Sequence, residues 1–272
     1  MIINHNLNAM NAHRQLGINT VNAGKSMEKL SSGLRINRAG DDAAGLSISE
    51  KMRGQIRGLQ QASRNAQDGI SMIQTGEGAL QETHAILQRM RELAVQAAND
   101  TNVTADRDAI KEELTALTNE IDKIAQQTEF NTQNLFSAAS TTVKLQVGAN
   151  KDQVVSITFS QMTASALSVS SVASCVASSA DATATIKTIN DAIEKVSTER
   201  AKLGAFQNRL EHTIMNLDNA AENLQAAESR IRDVDMAKEM MNFSKNNILA
   251  QAAQAMLAQA NQQPQGVLQL LR

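Results

Sequence analysis

Apolar side chains, most of them large and aliphatic, recur at every seventh position in two separate stretches of the chain, residues 52–94 and residues 189–231. A period of seven residues keeps one face of a helix turned toward a partner helix along its whole length. The pattern therefore predicts two long packing helices, one over residues 46–99 and the other over residues 189–234. Because they lie near opposite ends of the chain, we expect a rod whose halves come from distant parts of the sequence.

The stretch between these two helices carries three shorter patterns. Apolar residues at helical spacing predict a third helix that is capped by Thr104 and ends near Gln127. Alternating apolar and polar residues around a turn-rich spacer predict a β-hairpin over residues 142–160. Residues 163–185 are rich in Ser, Thr, Ala and Val and carry little charge, so we expect them to form a short surface loop.

The N-terminal 34 residues have helical spacing of apolar positions but a poor composition for a helix. They contain six Asn residues together with Gly17 and Gly24. At roughly 0.6 kcal/mol per Asn and about 1 kcal/mol per Gly relative to Ala, this composition costs on the order of 5–6 kcal/mol. An isolated helix does not form against such a deficit. We therefore expect this end to be disordered alone and helical only when it is packed.

The C-terminal tail, from residue 240 onward, is almost free of charge. Lys245 and Arg272 are its only ionised side chains, and an apolar stripe follows Ile248, Leu249 and Met256. A neutral polar helix packs against identical copies without like-charge repulsion. The tail is therefore expected to take part in self-association.

A glycine-containing charged segment, residues 35–45, separates the N-terminal helix from the first heptad series. Its composition is typical of a linker or hinge. The Asp41–Asp42 pair within it is best explained by a solvated turn or an intersubunit salt bridge. The predicted hinge residues are Arg35, Asn37, Arg38, Gly40, Asp41 and Asp42.

The composition supports a mainly α fold with a thin core. There is one Pro, no Trp, no Tyr and only five Phe, whereas large globular cores rely on aromatic side chains for buried area. We predict a long antiparallel helical bundle or coiled-coil rod with a small β-hairpin and termini that form a coaxial helical pair. Residues 1–45 and 235–272 are assigned to an inner-core terminal domain, and residues 46–234 to a helical rod domain.

Several classes of function are excluded by the same composition. A net charge of −2 leaves no basic stripe for nucleic acid. The single cysteine, Cys175, and four scattered histidines provide no disulfide or metal-ligand spacing. Neither an apolar run of about 18 residues nor the pattern of a secretory signal peptide is present. We therefore expect a protein that is not an enzyme, has no metal or cofactor, and does not insert into a membrane.

Six segments of the chain closely resemble bacterial flagellin, in its short form found in Gram-positive bacilli. The resemblance extends over both ends and nearly the whole chain, and these six segments carry it. The matching segments are residues 30–53 (LSSGLRINRAGDDAAGLSISEKMR), 88–96 (QRMRELAVQ), 128–131 (TEFN), 203–210 (LGAFQNRL), 227–235 (AESRIRDVD) and 248–252 (ILAQA).

The resemblance implies a structural subunit that polymerises into the flagellar filament and serves swimming motility. In that family the two chain ends pair as coaxial helices that form the inner core of the filament. Outer variable domains of larger relatives should be missing here, because only the hairpin and residues 163–185 occupy their place. The residues expected to form the inner core are Ile3, Leu7, Met10, Leu30, Leu34, Ile248, Leu249, Met256, Leu268 and Leu271.

The resemblance also implies a location and a set of partners. The subunit would be secreted unfolded by the flagellar type III export apparatus without a cleaved signal, and it would assemble with itself, the filament cap and hook-associated proteins. An export chaperone would bind the region from about Asp235 onward. The vertebrate Toll-like receptor for flagellin would contact Arg89, Leu93 and Glu113.

Two other functions remain open at the level of the sequence. A hook–filament junction protein shares the terminal signatures, although few copies of it are present in a flagellum. A cytoplasmic coiled-coil signalling rod would share the heptad pattern alone.

Overall fold

The structure, a computed structural model, describes residues 6–138, 140–176 and 179–270; for residues 179–180 and 264–270 it describes the backbone only. The expected inner-core residues Ile3 and Leu271 lie outside the described residues, and so does the side chain of Leu268.

Five long helices make up most of the chain, which confirms the mainly α fold class. Helices α2 and α4 coincide with the two heptad series, and α3 ends at Gln127 as expected. The helices are α1 (Leu7–Ser32), α2 (Ala43–Ala97), α3 (Thr104–Gln127), α4 (Ser179–Arg232) and α5 (Met236–Leu270).

Two antiparallel strand pairs and a short 3-10 helix, Val172–Val176, accompany the α-helices in the described part of the chain. The short pair joins β1 (Glu129–Phe130) to β2 (Gln133–Asn134), and the longer pair joins β3 (Ser140–Gln146) to β4 (Val154–Ser160). The longer pair is the predicted hairpin, and alternate residues of β4 are buried.

The chain forms two compact units. Unit 1 consists of Met1–Gly54 and Glu222–Arg272, and unit 2 consists of Gln55–Ala221. Unit 1 therefore contains both terminal helices, α1 and α5, whereas unit 2 contains α3 and all four strands.

The core of unit 2 is built from the heptad positions. The guanidinium Nη2 of Arg200 lies 3.4 Å from the Glu77 Oε1 atom, and an added Cβ at Gly69 would lie 3.3 Å from the Leu210 Cδ1 atom. The contact nearer the C-terminus of α2 is the one nearer the N-terminus of α4, so the two helices are antiparallel. The buried heptad residues are Ala66, Ile73, Leu80, Leu87, Ala94, Ile189, Val196, Leu203, Leu210 and Leu217.

Glycines on α2 allow the hairpin to approach this helix closely. A Cβ added at Gly58 would lie 2.9 Å from the Cβ of Ala149, and one added at Gly76 would lie 3.2 Å from the ring of Phe136. A Cβ at Gly69 would fall 2.2 Å from the Leu145 side chain. The absence of side chains at these positions makes room for the sheet, so the glycines serve packing despite their low helix propensity.

Two expectations differ from the structure. The third helix begins at Thr104 but its cap residue is Val103, whose N–H donates to the Asp106 carboxylate at 3.2 Å. The segment expected to be a surface loop places Leu167 and Val172 in the core, and its last residues belong to α4. Low charge in this segment reflects burial, because neutral side chains are those that a core accepts.

Replacing Gly58 with alanine should lower the free energy of unfolding by about 1–3 kcal/mol, because the new methyl group would meet the backbone of Ala149 at 3.2 Å. The matched control is Gly78→Ala on the same helix, where nothing lies within 4 Å. That change should raise stability by about 1 kcal/mol. Urea titration followed by far-ultraviolet circular dichroism measures both, and equal stabilisation by the two changes would contradict the close approach.

Candidate assembly surface

Helices α1 and α5 of unit 1 pair in antiparallel fashion. At one end, the Asn6 side-chain amide donates to the Ala260 carbonyl at 2.7 Å. At the other end, the N–H of Val234 donates to the Gly33 carbonyl at 3.0 Å. The predicted pairing of the chain termini is thus present in unit 1.

Small side chains, with four large ones among them, line the seam between these two helices. The least exposed positions of each helix repeat at intervals of three and four residues, as in a heptad pattern. Small residues let two helix backbones approach closely, but each buries little apolar area. The seam residues are Ala9, Ala12, Leu16, Asn19, Ala23, Ser26 and Leu30 on α1, and Phe243, Asn246, Ala250, Ala253, Leu257 and Ala260 on α5.

Large apolar side chains cover the opposite, outward faces of the same helices. With about 3.6 residues per turn, positions 7, 10, 18 and 21 fall on the face of α1 that points away from the seam. Leu7 is 63% exposed and Ile248 is 66% exposed. A large side chain left in water forgoes about 1.5–3 kcal/mol of burial. The outward apolar residues are Leu7, Met10, Ile18 and Val21 on α1, and Met241, Ile248, Leu249 and Met256 on α5.

Five of the expected inner-core residues belong to these outward faces, namely Leu7, Met10, Ile248, Leu249 and Met256. Leu30 lies in the seam, and Leu34 forms an isolated antiparallel bridge with Asp233. The sequence pattern therefore did not distinguish the residues that pair the two helices from those that the pair leaves exposed.

Two shallow grooves cross the outward surface of unit 1. One is apolar and is lined on α5 by Met240, Met241, Ile248 and Leu249, with Lys245 at its side. The other lies between α1 and α5 and combines Met256 with carboxamide side chains. These carboxamides belong to Asn8, Asn11, Gln15, Gln259 and Gln263. Neither groove presents a carboxylate, and Lys245 is the one charged side chain that lines them. A neutral helix of another molecule can therefore enter the carboxamide-lined groove without burying a charge.

The expected hinge segment is closely hydrogen-bonded in unit 1. The N–H of Arg35 donates to the Arg232 carbonyl at 2.7 Å, and its guanidinium donates through Nε and Nη2 to the Ile231 carbonyl. Gly33 ends α1 with a φ of 71°, the left-handed conformation that glycine adopts most easily. These contacts, with the Val234–Gly33 hydrogen bond, form a clasp that joins the end of α1 to the turn between α4 and α5.

Two aspartates order the remainder of this segment. The N–H groups of Arg38 and Asn37 donate to Asp41 at 3.1 and 3.2 Å, and these bonds hold the pKa of the Asp41 carboxyl below its ordinary value. The Asp42 carboxylate accepts from the Gly45 N–H at 2.8 Å and caps α2. Gly40 is exposed with open space around it. The acid pair is therefore a turn and a helix cap.

The sequence did not predict two ion pairs that join the start of α2 to the end of α4 within unit 1. The Arg232 guanidinium lies 2.9 Å from the Glu50 carboxylate, and Arg53 lies 3.9 Å from Glu228. The partners are far apart in sequence, and no local pattern points to such pairs.

The three residues expected at a receptor contact lie on α2 and α3 of unit 2. The guanidinium of Arg89 donates to the Glu113 carboxylate at 2.9 and 3.0 Å and to Glu92 at 3.2 Å. These hydrogen bonds, that to Glu113 first, raise the pKa of Arg89. Leu93 is only 2% exposed and belongs to the core. Arg89 and Glu113 are thus together on the surface, with Leu93 beneath it.

Within the described part of the chain, no three His, Cys, Asp or Glu side chains converge as metal ligands. No described helix is long and apolar enough to cross a membrane. An uncovered apolar face on paired terminal helices, combined with a separate buried core, is typical of a subunit that completes its folding in a polymer.

Comparison with known proteins gives the same class. Residues 3–141 match the bacterial flagellin N-terminal helical region, and residues 186–271 match the bacterial flagellin C-terminal helical region. A flagellin of Halalkalibacterium halodurans is 63% identical over 272 residues, and one of Bacillus subtilis is 55% identical over 304 aligned residues; each alignment covers 100% of both chains. The crystal structure of Bacillus cereus flagellin aligns at 34% identity with a TM-score of 0.49, over 61% of this chain and 94% of the other.

The chain belongs to the bacterial flagellin family. It is a structural protein that self-assembles into the extracellular flagellar filament, and it is not an enzyme. The family resemblance, the filament function and the extracellular location predicted from the sequence are thereby confirmed.

The lowered pKa of Asp41 gives the clasp segment a defined pH dependence. A carboxyl whose pKa is lower in the folded state stabilises that state above its unfolded pKa of about 3.9 and loses this effect as pH falls through the folded pKa. The stability difference between wild type and Asp41→Asn should therefore be full at neutral pH and shrink below about pH 4. Hydrogen exchange of the Asn37 and Arg38 amides measures it, and a difference that persists undiminished to about pH 2 would contradict this role.

Proposed function

We propose that unit 1 builds the inner core of the filament, and that the outward faces of α1 and α5 are the surfaces that neighbouring subunits cover. The observation that carries this proposal is the distribution of side chains: seven of the thirteen seam residues are Ala or Ser, whereas eight large apolar residues of α1 and α5 remain exposed outside the seam. A folded helix pair that ends in water with this arrangement is incomplete. A second copy of the same chain offers the same neutral, apolar faces, so identical molecules are suitable partners.

The energies support folding that is coupled to assembly. Burying four outward residues of α1 at about 1.5–3 kcal/mol each would contribute roughly 6–12 kcal/mol. The unfavourable helix propensity of the same end is on the order of 5–6 kcal/mol. Contacts between subunits are therefore large enough to order an end that is marginal alone. An end that stays unfolded until assembly is also suited to passage through a narrow export channel.

We further propose that residues 1–45 and 235–272 act as the inner-core domain, with the segment from Arg35 to Asp42 as its connector to the rod domain of residues 46–234. The clasp contacts support a connector with a fixed register between α1 and α5. The hinge residues would then limit bending rather than permit free motion.

Partners in export and at the growing end follow from the family and the chemistry of α5. We propose that an export chaperone covers the apolar groove on α5 before secretion by the type III apparatus, since an uncovered groove would let subunits associate with one another before export. The cap and the hook-associated proteins would meet the same terminal helices at the two ends of the filament. Titration of the purified full chain with the chaperone, compared with a chain that ends at residue 234, tests the first contact.

The vertebrate Toll-like receptor for flagellin is a further proposed partner, through Arg89 and Glu113. Their exposed ion pair supports a polar contact on α2 and α3. The buried side chain of Leu93 supports an indirect role, in which it fixes the helix surface that carries the two charged residues.

Changing Ile248 to asparagine should prevent or weaken polymerisation, because it removes a large apolar side chain from the outward face. A loss of about 1.5–3 kcal/mol per contact corresponds to a critical concentration that is higher by about tenfold to a hundredfold. The matched control is Met215→Asn, which changes an exposed apolar residue on α4 in unit 2. Sedimentation of polymer from purified full-length subunits measures both. Normal polymerisation by Ile248→Asn would show that the outward face of α5 is not covered in the filament.

If the receptor binds at the Arg89–Glu113 pair, substitutions of Arg89 and Leu93 should have different effects. Arg89→Ala should reduce receptor activation by at least about tenfold while leaving the fold intact, because surface ion pairs contribute little to stability. Leu93→Ala should instead lower the free energy of unfolding by about 2–5 kcal/mol, because it opens a cavity in the core. A reporter-cell assay and urea titration separate the two effects. Full activation by Arg89→Ala would exclude this residue from the contact.

A further inference from the structure

Methionines form a large part of the outward apolar surface of unit 1. Met10 on α1 and Met240, Met241 and Met256 on α5 all expose half or more of their side chains. Met240 and Met241 line the apolar groove on α5, and Met256 lines the groove between α5 and α1. The outward surface of α1 and α5 thus carries these four thioethers, while Met27 on α1 and Met236 on α5 are 56% and 49% exposed on the flanks of the seam.

The structure separates these methionines from others in the same chain. Met72, Met90 and Met162 are buried in unit 2 and shielded from solvent oxidants. Met215 is 53% exposed and lies on α4 in unit 2. The chain therefore supplies both buried and exposed internal controls.

We propose that Met10, Met240, Met241 and Met256 form an oxidation-sensitive modification site that prevents a free subunit from joining the filament. This inference rests on the proposed function, since it requires the outward faces of α1 and α5 to be assembly surfaces. The oxidant is a peroxide in the medium outside the cell.

The chemistry balances with hydrogen peroxide alone. The thioether sulfur attacks one peroxide oxygen, an S–O bond forms, the O–O bond breaks, and water leaves. Sulfur is oxidised by two electrons and the peroxide is reduced by two. The product, methionine sulfoxide, carries a strong dipole in place of an apolar thioether. Covering such a group with an apolar partner surface leaves its oxygen without the hydrogen bonds that it makes in water.

Assembly would protect the same residues. A thioether that is covered by a neighbouring subunit is no longer reached by peroxide, so existing filament would persist while oxidised free subunits are excluded from growth. Methionine sulfoxide can be reduced enzymatically, with a different reductase for each epimer. The exclusion would therefore be reversible.

The test uses the full-length subunit and a variant in which all four methionines are leucine (Met10→Leu, Met240→Leu, Met241→Leu and Met256→Leu). Leucine keeps an apolar side chain of similar volume but has no sulfur. Both proteins are treated with hydrogen peroxide as monomers, the peroxide is removed with catalase, and polymerisation onto untreated seeds is measured by sedimentation. Met215→Leu is the matched control.

Oxidised wild type and oxidised Met215→Leu should show critical concentrations at least about tenfold above their untreated values, since about 1.4 kcal/mol of lost burial changes an equilibrium tenfold. The fourfold leucine variant should change less than about twofold. Treatment with both methionine sulfoxide reductases should restore wild-type assembly. Oxidised wild type that polymerises normally overturns the proposal. So does a leucine variant that is inhibited as strongly as wild type, because that variant retains Cys175 and every other methionine.

A second measurement needs no variant. Wild-type subunits are oxidised partially and allowed to polymerise, and peptide mass spectrometry compares sulfoxide in the pellet and the supernatant. Sulfoxide at the four positions should be enriched several-fold in the supernatant, while sulfoxide at Met215 should be equal in both fractions. Equal partition at all positions overturns the proposal even if the leucine variant assembles poorly. The proposed function fails separately, through normal polymerisation of Ile248→Asn.

Discussion

The pairing of α1 with α5 through small side chains is the constraint on which unit 1 depends. Alanine and serine let the two helices approach closely, and the seam holds only four large side chains, Leu16, Leu30, Phe243 and Leu257. Leu7, Ile18 and Ile248 are among the large apolar side chains that remain exposed outside it. A buried methyl or methylene contributes about 0.8 kcal/mol, whereas a fully buried Leu or Ile side chain contributes about 1.5–3 kcal/mol. The seam alone stabilises the pair weakly, and most of the available apolar area remains for contacts between subunits.

Register between the two helices is set at both ends of the pair. Asn6 bonds to the Ala260 carbonyl at one end, and the clasp of Gly33 with Val234 and Arg35 with Arg232 closes the other. In a heptad seam, a shift of one residue would rotate small residues out and large residues in. The clasp therefore does more than connect elements, because it determines which face of each helix is left for assembly.

The sequence alone predicted the long helices and the hairpin, because large aliphatic residues at a period of seven or two are strong signals. It was less informative wherever small or polar residues decide the structure. The alanine seam has no strong hydrophobic period, so the expected inner-core residues combined Leu30, which lies in the seam, with the exposed Ile248. The cap of α3 lies at Val103 because Asp106 reaches back to it, which a preference for Thr at helix starts did not anticipate.

Residue pairs that are distant in sequence were also beyond prediction. The Arg232–Glu50 ion pair joins partners 182 positions apart, and Arg35 finds its acceptor on Ile231. Such contacts depend on the folded path of the chain, and they produce no periodic pattern in the sequence. The interruption of the helical pattern at residues 35–45 overlaps the break between α1 and α2, and its role as a hinge stays a prediction. Its hydrogen bonds to the opposite end of the chain became visible only in the structure.

The asparagines of α1 explain why a weak helix is useful at this position. Asn6 caps the helix through the Ala9 N–H at 3.1 Å and also bonds across to α5. Each helix contributes one asparagine to the seam, Asn19 on α1 and Asn246 on α5. Polar residues in an apolar seam reduce stability but disfavour registers in which they lack partners. The residues that make the terminal helix marginal alone are therefore among those that specify its pairing. Marginal stability and correct assembly have a common origin in this sequence.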